Sequence, residues 1–237
     1  MLDNDVISEG PENYLRAIYE LTVEGGHETA STSDLAESLC VRAASVTGML
    51  KKLAATKPRL IRYHPYQGAS LTPDGLEAAL RVVRQHRLLE LYLTEALGFG
   101  WDQVHTEADR LEHHISDSLE ERIADALGDP KQDPHGAPIP ARDGQVTRVA
   151  EAPLRSLPEG AQARVTRVQD RDPELLRRLQ KMGLVPGVEL ELVSFGPHGE
   201  LLVRLPSGSL NWLDKAALDG ILAGYPENKT NGGSQTS

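Results

Sequence analysis

Apolar positions recur with helical spacing along the first half of the chain and alternate as in strands along the last third. Tyr14, Leu15, Ile18, Tyr19 and Leu21 make one face of a helix that Pro11 opens and Gly25-Gly26 ends. Ser31, Thr32, Ser33 and Asp34 are capping residues before a short helix near 35–39. After a turn at 40–43, Val46, Met49, Leu50 and Leu53 predict a helix over 44–55. A strand at 60–63, a turn through 64–68 and a return strand at 69–71 complete a winged helix-turn-helix over residues 1–72. Thr72 as N-cap and Pro73 at the first helical position open a long helix that runs to Leu97 and stops at Gly98. Its apolar residues, among them Leu76, Leu80, Val83, Leu88 and Leu91, cover more than one stripe. That breadth fits two packing neighbours, with a second subunit a candidate for one. A capping-box-like Thr106–Asp109 predicts one further helix through Ile115, Leu119, Ile123 and Leu127 to Gly128, with His105 in the turn before it.

Beyond Gly128 prolines interrupt every period, and residues 142–160 read as a proline-rich linker after a helical domain at 73–141. Alternation then returns at 163–168, 188–193, 201–205 and 210–213, with a short helix near 173–182. Short strands in so small a span predict an SH3-like β-barrel over 161–224, and the polar stretch 225–237 reads as disordered. The fold class expected is therefore mainly α with small β parts.

Charge changes this picture. The net charge of −10 argues against a nucleic-acid partner until its distribution is considered. Between Glu37 and Asp74 there is no acid, and Arg42, Lys51, Lys52, Lys57, Arg59 and Arg62 give +6; from Glu77 to Asp133 thirteen acids face six bases. A basic winged helix beside an acidic segment suits DNA on one side and cations on the other. The 44–55 helix would enter the major groove. Arg42, Ala44, Ser45, Thr47 and Gly48 would then lie nearest the bases, and Lys51, Lys52 and Arg62 would meet phosphates. No run of about 18 apolar residues exists and the first residues lack a secretory pattern, so a cytoplasmic protein with no membrane partner is expected. Cys40, the single cysteine, fits a reducing compartment.

The acidic segment carries the chemistry. His86, Glu90, His105, Asp109, Glu112, His113 and His114 fall within 29 residues that contain no lysine. His86 and Glu90 are four apart on one helix, and Asp109, Glu112 and His113 share a face of the next. Imidazoles and carboxylates on neighbouring helices form a mixed N/O ligand set for a divalent transition metal. The bland alternative is a solvated charged face, in which Asp109 merely favours a helix N-terminus.

With these residues assembled, the chain resembles the metal-dependent repressors of the diphtheria toxin repressor and manganese transport regulator family. The resemblance rests on NYLRAIYEL at 13–21, HRLLE at 86–90, VHTEADRLEHHISD at 104–117 and GAPIP at 136–140. It implies that 73–141 binds metal and dimerises, and that the protein is no enzyme but a repressor of metal-uptake genes. It would act as a homodimer on a pseudo-palindromic DNA operator. It also implies a FeoA-like character for 161–224. Motif by motif, it implies a primary metal site of Asn13, Asp109, Glu112 and His113, and an ancillary site of His86, Glu90 and His105, with Gln169 or Asp170 as further donors. Iron-responsive relatives carry sulfur at the Asp109 and Asn13 positions. The oxygen donors here favour Mn²⁺ first and Fe²⁺ second. Some manganese regulators carry an acid where this chain has Arg16. Two other readings are a winged-helix repressor sensing an organic ligand, whose DNA binding would ignore chelators, and a helical-bundle metalloenzyme. The latter wants repeated Glu-x-x-His pairs, whereas Glu112 and His113 are adjacent.

Overall fold

The computed structural model describes residues 9–147 and 149–226. The terminal part of the expected disordered tail, 227–237, lies outside them. The chain forms two compact units, the first drawn from 9–98, 106–133 and 138–147, the second from 99–105, 134–137 and 149–226.

In the first unit, α1 (Glu9–Tyr19) continues into a π-helical turn at Glu20–Glu24. Leu15, Ile18 and Tyr19 are fully buried against α2 (Thr32–Ser38) and α3 (Ala43–Ala54). Ser31 caps α2 by accepting from the Asp34 N–H. Strands β1 (Ile61–His64) and β2 (Gly68–Leu71) pair antiparallel as the wing, with Tyr66 fully exposed at its tip. The winged helix read from the apolar pattern is present.

The long helix α4 (Pro73–Leu97) has the predicted bounds, because both ends carry strong stop signals. Thr72 accepts from the Gly75 N–H, and Gly98 closes the far end in the left-handed conformation. Gly75 has a steric duty, since a Cβ there would stand 1.8 Å from the Leu60 carbonyl oxygen. The Leu60 carbonyl also accepts from the Thr72 N–H, and the Thr72 hydroxyl donates to the Arg59 carbonyl, so the wing and the head of α4 are joined through backbone.

The single helix expected over 106–127 is two. α5 (Val104–Leu111) starts two residues earlier, so His105 lies inside its first turn, and α6 is Asp117–Ala126. Ser116 is extended and its hydroxyl accepts from the Leu119 N–H, which begins a new helix rather than continuing the old one. Arg84 ties α4 to α6 through Glu120 at 2.7 Å and also donates to the Pro140 carbonyl.

The second unit is an antiparallel sheet of six strands in the order β3 (Ala152–Pro153), β8 (Ile221–Gly224), β4 (Gln162–Val168), β5 (Glu189–Phe195), β6 (Leu201–Arg204) and β7 (Leu210–Leu213). Two helices, α7 (Pro173–Met182) and α8 (Lys215–Gly220), pack with it around Leu176, Leu179, Leu192 and Val203. The expected SH3-like barrel is therefore wrong. Among the described residues β3 and β7 are free edges that do not pair, and the sheet is open. A closing ladder would need length at both edges, but β3 has two residues and Pro153 has no N–H to give.

Candidate metal centre and DNA-binding face

The metal-ligating residues of the first unit lie where α1, the middle of α4 and the end of α5 converge. Amphipathic spacing explains the convergence. Burying Tyr14, Leu15 and Ile18 turns Asn13 and Arg16 toward the segment that carries Asp109, Glu112 and His113. Glu112 is essentially inaccessible, and its two oxygens face different neighbours. Oε2 accepts from Arg16 Nη1 at 2.8 Å and from His86 Nδ1 at 2.6 Å. Oε1 accepts no hydrogen bond among the described residues and stands 3.2 Å from His113 Nε2.

His113 is held from both sides. Its Nδ1 is 2.5 Å from Glu12 Oε2 and its Nε2 is 2.7 Å from Asn13 Oδ1. If Nδ1–H donates to Glu12, Nε2 turns a lone pair toward Asn13 Oδ1 and Glu112 Oε1. Donors about 2.1 Å from an octahedral ion stand roughly 3 Å apart, so the separations of 2.7 and 3.2 Å at Nε2 are those of donors able to share one divalent cation. Glu12 was not among the residues expected from sequence. A carboxylate directly before Asn13 in the first turn of α1 is the only sign of it there.

Asp109, expected beside Asn13 and His113, faces another way. Its Oδ1 accepts from Arg16 Nη2 at 2.7 Å and lies 3.3 Å from His86 Nδ1. His86, Asp109 and Glu112 each bring a ligand atom to within 4.8 Å of the others, and the Arg16 guanidinium donates to both carboxylates and lies 2.6 Å from His86 Nδ1. Burial opposes the charge of Arg16, but Glu112, Glu20 and Asp109 overcome it and raise its pKa. Burial also opposes an imidazolium at His86. Glu90, 3.0 Å from Nε2, and Glu112 outweigh both that and the repulsion of Arg16, and push His86 up to about 10. An imidazolium there would have to lose a proton before ligating.

His105, the remaining histidine of the expected ancillary set, belongs to the second unit, where its Nδ1 lies 3.5 Å from Asp170 Oδ2. Arg87 binds the Glu24 carboxylate with both oxygens at 2.9 and 3.0 Å, and Asp133 is 3.7 Å from its Nε.

The DNA-binding candidates lie together on α3 and the wing. Arg42, Ala44, Ser45, Gly48, Lys51, Lys52 and Arg62 are exposed and Thr47 is half-buried. The Thr47 hydroxyl donates back to the Ala43 carbonyl, and a Cβ at Gly48 would meet open space. Val46, Leu50 and Leu53 bury the opposite face of the helix.

Comparison with known proteins now decides the family. Residues 7–69 match the iron dependent repressor N-terminal DNA binding domain, residues 72–141 the iron dependent repressor metal binding and dimerisation domain, and residues 152–223 the FeoA domain. The iron-dependent repressor IdeR of Mycobacterium leprae (strain TN) is 32% identical over 216 residues, spanning 86% of this chain and 91% of that protein. The chain belongs to the iron-dependent repressor family. Within it, the HTH-type transcriptional regulator MntR of Bacillus pumilus (strain SAFR-032) is 38% identical over 105 residues, 44% of this chain and 69% of that regulator. A manganese-dependent transcriptional repressor solved in complex with manganese superposes with a TM-score of 0.84 at 35% identity, over 90% of this chain and 98% of that one. The manganese regulator SloR gives 0.76 at 32% identity, over 91% and 98%. As a family member the chain is a transcriptional regulator rather than an enzyme. Residues 7–69 are its DNA-binding domain and 72–141 its metal-binding and dimerisation domain. No helix among the described residues is long and apolar enough to cross a membrane.

Proposed function

We propose that this chain is a manganese(II)- or iron(II)-activated repressor of metal-uptake genes. It would act in the cytoplasm as a homodimer on a pseudo-palindromic operator. One observation carries the reading: Asn13 of the DNA-binding domain reaches the same point as Glu112 and His113 of the metal-binding domain. A cation held there ties α1 to the end of α5, so its binding energy biases how the winged helix is presented to DNA. The donor set of carboxylate, amide oxygen and imidazole, without sulfur, suits Mn²⁺ ahead of softer ions.

Asn13, Glu112 and His113 are the proposed ligands, with Asp109 reaching them through Arg16 or by rotating toward the ion. His86 and Glu90, and separately His105, are proposed as further metal-binding residues, each to be tested by its own substitution. Arg42, Ala44, Ser45, Thr47 and Gly48 would meet bases, while Lys51, Lys52 and Arg62 meet phosphates.

The test is operator binding by gel shift with Mn²⁺, Fe²⁺ or chelator, for wild type, Asn13→Ala and His113→Ala. Wild type should bind specifically only with metal, and both variants should need at least tenfold more. Full operator affinity in excess chelator would point instead to an organic effector. Sedimentation with metal should show a dimer, with protected half-sites about one helical turn apart; a monomer on DNA would refute the symmetry.

A further inference from the structure

We propose that strand β7 is a self-association edge, at which the sheet of one chain joins the sheet of a second copy.

The two edges of the sheet are built differently. β3 is two residues long and ends in Pro153, which has no N–H to offer, so that edge resists pairing. β7 is Leu210-Asn211-Trp212-Leu213, with no proline, no charge and no shift in its register with β6. That register fixes which of its backbone groups are already used. The Leu205 N–H donates to the Ser209 carbonyl at 3.0 Å, and hydrogen-bonded pairs in an antiparallel ladder fall on every second residue. Val203–Asn211 and Leu201–Leu213 are therefore the bonded pairs between β6 and β7. Leu210 and Trp212 alternate with them, and turn both N–H and C=O away from β6. The same two residues share the outer face of the sheet and are 53% and 54% exposed, while Leu213 is buried on the inner face. Outward backbone groups and uncovered apolar side chains thus coincide at two positions.

The strand also matches itself. Laid antiparallel to a second copy with the two Asn211 residues opposite, Leu210 of each strand faces Trp212 of the other. All the outward groups of Leu210 and Trp212 then find partners in both strands, and each Leu–Trp pair packs on the outer face. The contact is isologous, with its two-fold axis at Asn211. An edge bearing lysine or glutamate would repel its own copy, and β7 bears neither. A different protein would have to bring a matching strand, whereas a second copy supplies one by symmetry. Two six-stranded sheets would become one continuous sheet. A contact of one short strand is small, so the association is weak unless other links raise the local concentration. If 72–141 dimerises, as proposed above, this second surface couples neighbouring dimers.

The experiment follows mass against concentration. Full-length wild type, Trp212→Lys and Leu210→Pro are sedimented over a wide range of protein concentration. Proline at 210 deletes an outward N–H but none that the β6 ladder uses, which separates backbone pairing from simple apolar contact. Wild type should convert to a species of twice the mass as concentration rises, and both variants should stay at the lower mass. Whether that lower mass is a monomer or a dimer tests 72–141 and not this edge. Trp212 reports on the contact without any substitution, because the chain has two tryptophans and Trp101 is 7% exposed. Acrylamide quenching of wild-type fluorescence should fall as the heavier species forms. A wild type that keeps one mass throughout overturns the proposal and leaves the edge to a strand from another protein. A heavier species with quenching unchanged overturns it too, as do variants that associate like wild type, since another surface would then be in use.

Discussion

Glu12 shows how much a single atom pair can decide. By accepting from His113 Nδ1 at 2.5 Å it fixes which ring nitrogen is left to face Asn13 and Glu112. Partners of this kind typically contribute 10- to 100-fold in metal affinity. Glu12→Gln can present its NH₂ instead of its oxygen and so lose that control. It should weaken Mn²⁺ binding by about tenfold or more while leaving the melting temperature of the metal-free protein nearly unchanged; calorimetric titration and a thermal melt check both. Asp214 is a second case, in the other unit. Its carboxylate is bound by both terminal nitrogens of Arg178 at 2.7 Å and also accepts from the Ala217 N–H, which hold its pKa below the ordinary carboxylate value. A depressed folded pKa contributes stability that is full above the unfolded value of about 3.9 and fades as pH falls through the folded one. Asp214→Asn should therefore melt lower than wild type at pH 6, with the gap narrowing below about pH 4. A gap that stays constant from pH 7 to pH 2.5 would remove the ionic contribution.

At the scale of elements, Gly75 is the position most exposed to a small change. Alanine is a better helix former than glycine, so propensity alone predicts that Gly75→Ala stabilises by nearly 1 kcal/mol. The Leu60 carbonyl 1.8 Å from the new methyl makes the opposite outcome expected. The loss should be about 1–3 kcal/mol, the usual cost of overpacking, read from chemical denaturation; a variant as stable as wild type would show that the wing can retreat. This contact also marks the limit of what sequence reveals. Thr72, Pro73 and Gly98 announce α4 residue by residue, and the acid-free run at 42–62 marks the face proposed to meet DNA. The apolar positions run on in register across Ser116 and conceal it as a cap, so the pattern predicts one helix where two exist. The last strand and α8 were also missed: Lys215–Gly220 is too short to show a period, although Asp214 caps it. The barrel failed for a related reason, since alternation predicts strands and says nothing about whether the outer two will meet. In the candidate metal centre the residue types are legible from the sequence, but their partition about Glu112 is not, because it depends on where α1 aims Arg16.

For the whole molecule, the net charge of −10 masks the opposed distribution that matters for function. Lys51, Lys52 and Arg62 are exposed along α3 and the wing. If Lys52 neutralises one phosphate, Lys52→Ala should weaken binding to operator and random DNA alike. It should also lower the slope of log affinity against log salt by about one per half-site. Fluorescence anisotropy over a salt series measures it, and an unchanged slope would take Lys52 off the backbone.

The junction at Gly75 gives α4 the character of a lever. At 1.5 Å per residue its 25 residues extend about 37 Å, with His86 close to the middle and the wing fixed to one end. Turning such a rod by 5° about its midpoint carries each end about 1.6 Å, close to half the 3.4 Å separating successive bases along a DNA strand. A rearrangement of donors around Glu112 too small to alter any helix would then be large enough, at the tip, to carry the winged helix in or out of step with the bases of a duplex.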